Sequence, residues 1–277
     1  MKFFVSIFKQ YKWELLLIYF YMLLTEGFMI LQPFVLGKTI DGLLKNDWGW
    51  LWGLIAIYLG SALFMYKRMV YDTKVYTKIY NGIVMDFIRK SNTDVSSKIA
   101  RTDIAHQITD ILENYAHYYI ATIVTILGSL FFIFNSSWII GLIVLLCGLP
   151  IWIIVRVFYK KITQSTVVGH NHYEQKVDII NRLNIEEINN FFTRRRRLVI
   201  YGSTLQGKNW FWINTVRYIF LSISLVVFIK LSNGMSLGDI LSMYTYINNF
   251  LISLLSIPVG MEAYTRIKDA IKRLTYD

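Results

Sequence analysis

Six stretches of this chain are long and apolar enough to cross a lipid bilayer. A hydrocarbon core about 30 Å thick requires roughly 20 helical residues. The run from Tyr118 to Val155 holds 38 residues without a charge, so it is predicted to form two spans separated by the turn-like residues 135–137. The predicted spans are residues 15–37, 48–66, 118–134, 138–158, 209–229 and 240–261. The pattern predicts an all-α integral membrane protein in which residues 1–277 form a single six-helix transmembrane domain.

The basic residues predict how the spans are oriented. The net charge is +11, although only 17% of the residues are charged. Given these spans, 25 of the 29 Lys and Arg residues fall on the side of the two chain ends and of connections 67–117 and 156–208, and three fall on the other side. Basic residues concentrate in cytoplasmic segments. Both termini are therefore predicted to be cytoplasmic, in a plasma or inner membrane. The lipid bilayer accounts for this charge distribution, and no nucleic-acid partner is expected.

The two cytoplasmic connections, each about 50 residues long, carry a helical pattern. Apolar residues recur every three to five positions, as at Val70, Val75 and Ile79 in the first connection, which is typical of amphipathic helices. Half of such a connection reaches roughly 35 Å beyond the membrane at 1.5 Å per residue. The sequence thus predicts two long cytoplasmic helical hairpins with turns near residues 92–102 and 181–190. Residues 1–12 are predicted to form a short amphipathic helix on the membrane surface.

Polar residues inside the predicted spans are the candidates for a translocation pathway. Glu26 lies near the middle of span one, where an ionised carboxylate costs about 2.5–3.5 kcal/mol and should face the bundle interior or water. It either contacts a substrate or a proton, or it has a structural partner on a neighbouring helix. Arg217 in span five either pairs with Glu26 or reaches cytoplasmic water. The remaining candidates, which either line the pathway or form interhelical hydrogen bonds, are Gln32, Tyr244, Asn248 and Asn249.

The sequence offers no arrangement typical of a catalytic or metal centre. His170, His172 and Glu174 are close in sequence, but helical residues two positions apart point away from each other. No metal ion, bound cofactor or catalytic residue is expected. The four arginines 194–197 are interpreted as a solvated charge cluster, with binding of anionic lipid headgroups or of an acidic partner as alternatives.

One segment imitates a phosphate-binding loop. Residues 202–208 fit the first seven positions of the Walker A pattern, but Asn209 stands where a hydroxyl residue should hold magnesium, and a predicted span follows instead of a free helix. The match is interpreted as chance. The chain also lacks a Leu-Ser-Gly-Gly-Gln signature and an apolar run ending in Asp-Glu of the Walker B type. No ATPase activity of its own is expected.

Three stretches resemble the transmembrane domain of ABC exporters. In residues 31–44, Pro33 and Gly37 precede an Ile-Asp pair at 40–41, and residues 235–241 read Met-Ser-Leu-Gly-Asp-Ile-Leu. Pro258 and the run 270–274 resemble the exit toward a nucleotide-binding domain. More specifically, the chain resembles the stand-alone six-transmembrane form of this family, which has no nucleotide-binding domain.

The resemblance implies a transport unit that works as a homodimer, because six exporter-like helices form half of a translocation path. ATP would then act only through a separately encoded nucleotide-binding subunit that docks on the two cytoplasmic turns. The candidate coupling residues are Asn92, Asp94, Arg101, Asn181 and Asn184. The alternative is an ATPase-independent six-helix membrane protein, such as a secondary transporter, a channel or a membrane adaptor. A membrane enzyme would need clustered His, Asp or Glu at a membrane face, and the sequence shows none.

Overall fold

The computed structural model describes residues 7–90, 95–231 and 234–256, and within these ranges the regular structure is entirely helical. The helices are α1 (Lys12–Leu44), α2 (Gly49–Lys90), α3 (Val95–Ser136), α4 (Trp138–Leu146), α5 (Gly148–Glu174), α6 (Lys176–Asn181), α7 (Ile185–Leu231) and α8 (Leu237–Ser253). Five helical segments are long and apolar enough to cross a membrane: Lys12–Leu44, Gly49–Asp86, His117–Ser136, Trp138–Gly169 and Ile185–Leu231. The predicted class, an all-α membrane protein, is confirmed.

The sixth predicted span is covered in part. Helix α8 has 17 residues and ends at Ser253, and the remainder of the predicted span from residue 257 lies outside the described residues. The same holds for residues 1–6 of the predicted amphipathic helix, for residues 92–94 of the first predicted turn, and for Pro258 and the run 270–274. The six-span count, the single domain and the cytoplasmic hairpins therefore stay predictions.

Two helix interruptions have different local causes. Helix α3 ends at Ser136 and α4 begins at Trp138. This break falls at the polar residues 135–137, where the sequence predicts it. Between α4 and α5 the helix is interrupted at Cys147, inside the predicted span 138–158. Pro150 explains this second interruption, because it has no N–H to donate to the carbonyl of Leu146.

The helices divide into two compact units, residues 1–138 with 227–277 and residues 139–226. In the first unit, α1 and α2 form an antiparallel pair, and α8 packs against α1 and α3. A buried apolar core joins Ile7, Tyr11, Leu15, Ile18 and Met22 to Val75, Tyr76, Ile79 and Ile83. The second unit contains α4, α5, α6 and most of α7.

The turn between α1 and α2 is fixed by local chemistry. Asn46 has a positive φ of 59°, a conformation that asparagine tolerates better than most residues. The carbonyl of Gly42 accepts hydrogen bonds from the backbone N–H groups of Lys45 and Asp47, each at 2.8 Å. The Asp47 carboxylate then accepts from the Gly49 N–H at 2.8 Å, which caps the start of α2.

The longest helices exceed what a membrane requires. Helix α2 has 42 residues and α7 has 47, so at 1.5 Å per residue they are about 63 and 70 Å long. A hydrocarbon core takes up about 30 Å of each. The remaining length of α2 and α7 therefore lies outside the hydrocarbon, while exposed apolar side chains such as Leu59, Leu63 and Phe131 are suited to contact lipid.

Candidate functional site

A buried cluster of charged residues joins α1, α2 and α3. Glu26 on α1 is 5% exposed, and Arg68 and Asp72 on α2 are similarly buried. The Arg68 Nη1 atom lies 3.0 Å from Nδ1 and 3.1 Å from Nε2 of His117 on α3, and its Nε lies 3.5 Å from Asp72 Oδ2. The charge of Arg68 also acts on Glu26. One guanidinium therefore links α2 to α3, and its charge also influences Glu26 on α1.

The chemistry of arginine fixes the proton arrangement in this cluster. A guanidinium can only donate hydrogen bonds, so the ring nitrogen of His117 that receives the bond carries no proton. Arg68 Nε and Asp72 Oδ1 are buried without a hydrogen-bond partner among the described residues, and the Nε–Oδ2 contact is an ion pair without hydrogen-bond geometry. Buried charges are costly unless paired. The contacts of Arg68 thus hold α2 and α3 in one register, with the buried carboxyl group of Glu26 on α1.

Only one member of this cluster, Glu26, is predicted from the sequence. Arg68 and Asp72 lie just beyond the predicted span 48–66, and His117 lies just before the predicted span 118–134. The sequence offers one signal for the arginine. Glu26 and Arg68 each lie about 20 residues from the turn at 45–48, so two antiparallel helices joined by that turn place them at the same height along the pair. The role of Glu26 in a pathway stays a prediction.

The other pathway candidates occupy varied positions. Gln32 is half-buried beside the buried Pro33, and on α8 Tyr244 is exposed while Asn248 and Asn249 are half-buried. The guanidinium of Arg217 lies 4.5 Å from the ring centre of Tyr218, its neighbour in the chain. Arg217 and Glu26 belong to different units, and their pairing stays a prediction.

A buried tyrosine on α8 makes a structural contact. Tyr246 donates a hydrogen bond to the Ile30 carbonyl at 2.8 Å. Its ring stacks on Phe132 with the ring centres 4.6 Å apart. Tyr246 therefore joins α8 to both α1 and α3 in the first unit.

Residues 31–44 and 235–241, two of the stretches that carry the family resemblance, meet where α1 crosses α8. This crossing is formed by residues 33–41 of α1 and 236–242 of α8. Gly37 and Gly238 bring the two backbones together, since a Cβ added at Gly238 would lie 2.6 Å from the carbonyl carbon of Gly37. Asp41 accepts hydrogen bonds from the Gly238 N–H at 2.9 Å and from the Ser236 hydroxyl. The α1–α8 crossing is thus built from small residues and one carboxylate that caps the start of α8.

Two further polar contacts close this crossing. The Ser242 hydroxyl donates a hydrogen bond from α8 to the Pro33 carbonyl on α1 at 2.7 Å. Lys38 pairs with Asp239 at 3.1 Å. Partial burial raises the pKa of Asp239, but its hydrogen bonds with Ser236 and Lys38 outweigh burial and leave that pKa below its ordinary value. Asp239 stands one residue before the predicted span 240–261.

The turn between α6 and α7 presents apolar side chains to its surroundings. Asn184 caps α7, since its Oδ1 accepts from the backbone N–H of Glu186 at 3.0 Å, and Asn181 is the last residue of α6. Leu183 has a positive φ of 54°, which is unusual for a bulky residue. Leu183 is 82% exposed and Ile185 is 83% exposed. In the other predicted turn, Asn92 and Asp94 lie outside the described residues; Arg101 belongs to α3, and its side chain lies outside them too.

Comparison with known proteins identifies the family. A family described as "ABC transporter transmembrane region" matches residues 4–238, a range that extends from the N-terminal segment to the start of α8. No curated protein matches the chain. The predicted resemblance to the membrane region of ABC exporters is confirmed, and with it a multi-pass membrane protein. The chain belongs to the ABC transporter transmembrane region family.

Proposed function

We propose that this chain is the membrane-embedded half of an ABC exporter-like transporter, that it works as a homodimer, and that a separately encoded ATPase drives it. In this proposal the chain binds no cofactor and catalyses no reaction. The ATPase binds and hydrolyses ATP on the cytoplasmic side, and the dimer provides the path across the membrane. The substrate moves between the six-helix halves when the ATPase changes their arrangement.

The observation that carries this proposal is the tip formed by residues 182–185. Leu183 and Ile185 are almost fully exposed at the far end of two helices, one of them about 70 Å long. This exposed apolar pair suits a protein partner better than water, because burying one such side chain contributes about 1.5–3 kcal/mol. The flanking residues Arg182 and Glu187, which pair at 3.6 Å, would form a polar rim around the apolar centre of the interface.

The test is purification of the tagged chain in mild detergent, with measurement of the ATP hydrolysis that accompanies it. We expect the double substitution Leu183→Asp with Ile185→Asp to remove the ATPase, since the loss of two buried apolar contacts lowers the affinity by about a hundredfold or more. Ile200→Asp is the matched control, because Ile200 is exposed on the same helix about 22 Å from Ile185.

The same preparation separates the proposal from its alternative. Reconstituted into sealed vesicles, the complex should move substrate only when ATP is present. Recovery of the chain with no ATP hydrolysis, or unchanged hydrolysis in the tip double variant, would refute the ATPase-driven proposal. Transport by the chain alone, without ATP, would support an ATPase-independent secondary transporter or channel.

A further inference from the structure

Arg217 on α7 is a charged residue that lies within the membrane. It stands eight residues beyond the start of the predicted span 209–229, so it is about 12 Å deep along the helix. Trp210 and Trp212 mark the membrane boundary before it, since both are exposed and tryptophan collects at membrane interfaces. A cation at this depth is costly, and such residues usually pair with another group or mark the path of a substrate. The partner of Arg217 is therefore informative about function.

The second unit holds no counter-charge near Arg217. Its Nε atom is buried without a hydrogen-bond partner among the described residues, and within them Arg217 forms no ion pair. Residues 139–173 and 188–231, which form the long helical segments of this unit, contain no Asp or Glu. Glu187, the nearest carboxylate toward the start of α7, is about 45 Å away along the helix. The group that balances the charge of Arg217 must therefore come from outside these helices.

Glu26 is the only Asp or Glu in the six predicted spans. It belongs to the first unit, where it is buried and the charge of Arg68 already acts on it. The acidic residue at membrane depth thus has a cation of its own. A bound molecule is therefore the better candidate for the partner of Arg217.

The guanidinium of Arg217 is oriented by its neighbour in the chain. Its Cζ lies 4.5 Å from the ring centre of Tyr218, a distance at which a cation is attracted to an aromatic face. This contact uses a flat face of the guanidinium, whereas an oxyanion binds to an N–H edge through two parallel hydrogen bonds. Arg217 is half-buried, so the two Nη groups at its tip are accessible although Nε is buried. The stacked arginine is thus suited to hold a carboxylate or a phosphate.

The helix opposite Arg217 is interrupted at the same depth. Contacts between α5 and α7 join residue 172 to 191, 169 to 195 and 165 to 202. The two helices are therefore antiparallel, and continuing α5 from 165 to 150 and α7 from 202 to 217 places Arg217 level with Pro150. Pro150 accounts for the interruption between α4 and α5. In transporters, substrates typically bind where membrane helices are interrupted.

The surroundings of Arg217 are apolar. Tyr218, Ile219 and Ile223 on α7 are roughly half exposed, as are Trp152 and Ile153 near the interruption. A small hydrophilic anion would lose its hydration at this depth, whereas an amphiphile keeps its apolar body in the membrane. The ligand that fits this position therefore has an anionic head and an apolar body.

We propose that Arg217 binds the anionic head of the molecule that this membrane unit transports, an amphiphile with a carboxylate or phosphate head. The inference rests on the proposed transport function and adds a substrate class to it. The Nη groups of Arg217 hold the head, and the apolar body lies along the exposed side chains of α7. A resident phospholipid has the same head chemistry, and a competition experiment separates the two sources.

The test measures energy transfer from tryptophan to dansylamino-undecanoic acid bound to the purified full chain in a nonionic detergent, at about pH 9, where the carboxyl group of the probe is ionised. The methyl ester of the probe is the uncharged reference. We expect the acid to bind about tenfold more tightly than the ester, because it forms hydrogen bonds with a charged group, and we expect Arg217→Gln to abolish this preference. Arg156→Gln is the matched control, because Arg156 also stacks on a neighbouring ring, with its Cζ 5.1 Å from the centre of Trp152, but is exposed. The control should keep the preference to within about twofold.

Several results would overturn the inference. An unchanged preference in Arg217→Gln would remove Arg217 from the site, and equal losses in both glutamine variants would leave only diffuse attraction. A fall in melting temperature in Arg217→Gln that Glu26→Gln reverses would replace the ligand with an ion pair to Glu26. If Arg217→Gln does not fold, Arg217→Lys decides, with Arg156→Lys as its control. Lysine keeps the charge but lacks the paired donors, so only Arg217→Lys should weaken binding of the acid, by about threefold.

Competition identifies the source of the anion. Unlabelled laurate and dodecyl phosphate should displace the probe, and phosphatidylglycerol at equal concentration should not. Equal displacement by phosphatidylglycerol would assign the site to a resident lipid and overturn the substrate class. The binding assay contains no ATPase, so its result is separate from the test of the proposed function. A chain that recruits an ATPase yet shows no preference for the acid would refute this inference alone.

Discussion

The close approach of α1 and α8 makes Gly238→Ala a sharp test of the packing. The added methyl carbon would stand 2.6 Å from the Gly37 carbonyl carbon and 2.7 Å from the Asp41 carboxylate carbon. Non-bonded carbon atoms prefer about 3.5–4.0 Å, so the helices must separate by about 1 Å. Backbone atoms of Gly37 are among those displaced, and a side-chain rotation cannot relieve the contact.

The loss of stability in Gly238→Ala can be estimated from the contacts that this separation of α1 and α8 breaks. Overpacking of this kind costs about 1–3 kcal/mol. The shift also stretches the hydrogen bonds from Gly238 N–H to Asp41 and from Ser242 to the Pro33 carbonyl, each worth about 1 kcal/mol. Alanine recovers about 0.5–1 kcal/mol relative to glycine inside a helix. The net loss should be about 3 kcal/mol, or a fall of roughly 5 °C in melting temperature for a chain of 277 residues.

The assay is thermal unfolding of the purified protein in detergent, followed by tryptophan fluorescence. Gly27→Ala is the matched control, because Gly27 lies in α1, the other helix of this crossing, and an added Cβ there would meet no atom within 4 Å. That variant should melt at or slightly above the wild-type temperature. A Gly238→Ala protein that melts within 2 °C of the wild type would refute the close backbone contact.

Two further predictions concern the charged groups. Arg68→Leu should destabilise the protein by about 3–5 kcal/mol, because it leaves Glu26 and Asp72 buried without their cation. Chemical unfolding measures this loss of stability. An unchanged unfolding midpoint would contradict the role of Arg68 in the buried cluster. The lowered pKa of Asp239 means that its pairing with Lys38 stabilises the fold above the ordinary carboxyl pKa of about 4 and is lost as the pH falls below it. The difference in melting temperature between the wild type and Asp239→Asn should therefore shrink below pH 4, and a constant difference would count against the pair.

Much of the fold could be predicted because a bilayer imposes simple demands on composition. Apolar runs of about 20 residues revealed the helices, and the polar residues 135–137 marked the break between α3 and α4. The interruption at Cys147 was not predicted, because no polar residue marks a break in this apolar run; the one sequence signal is Pro150, three residues further along. The resemblance identified residues 31–44 and 235–241 as a pair of motifs, but only the structure shows that they contact each other.

The candidate site was harder to predict because its members are distant in the sequence. Glu26, Arg68 and His117 come from three helices, and no local pattern connects them. A buried charge predicts that a partner exists, but the identity of that partner depends on helix register. Likewise, the sequence located a turn near residues 181–190, whereas the exposure of Leu183 depends on its left-handed backbone.

The most direct test of the central claim is a topology measurement on single cysteines placed in the Cys147→Ala background. Asn46→Cys reports the turn between α1 and α2, and Leu183→Cys reports the tip between α6 and α7. In sealed right-side-out vesicles, a membrane-impermeant maleimide should label Cys at position 46 at once and Cys at position 183 only after permeabilisation. Labelling of both positions from the same side would contradict a membrane unit whose long helices reach into the cytoplasm.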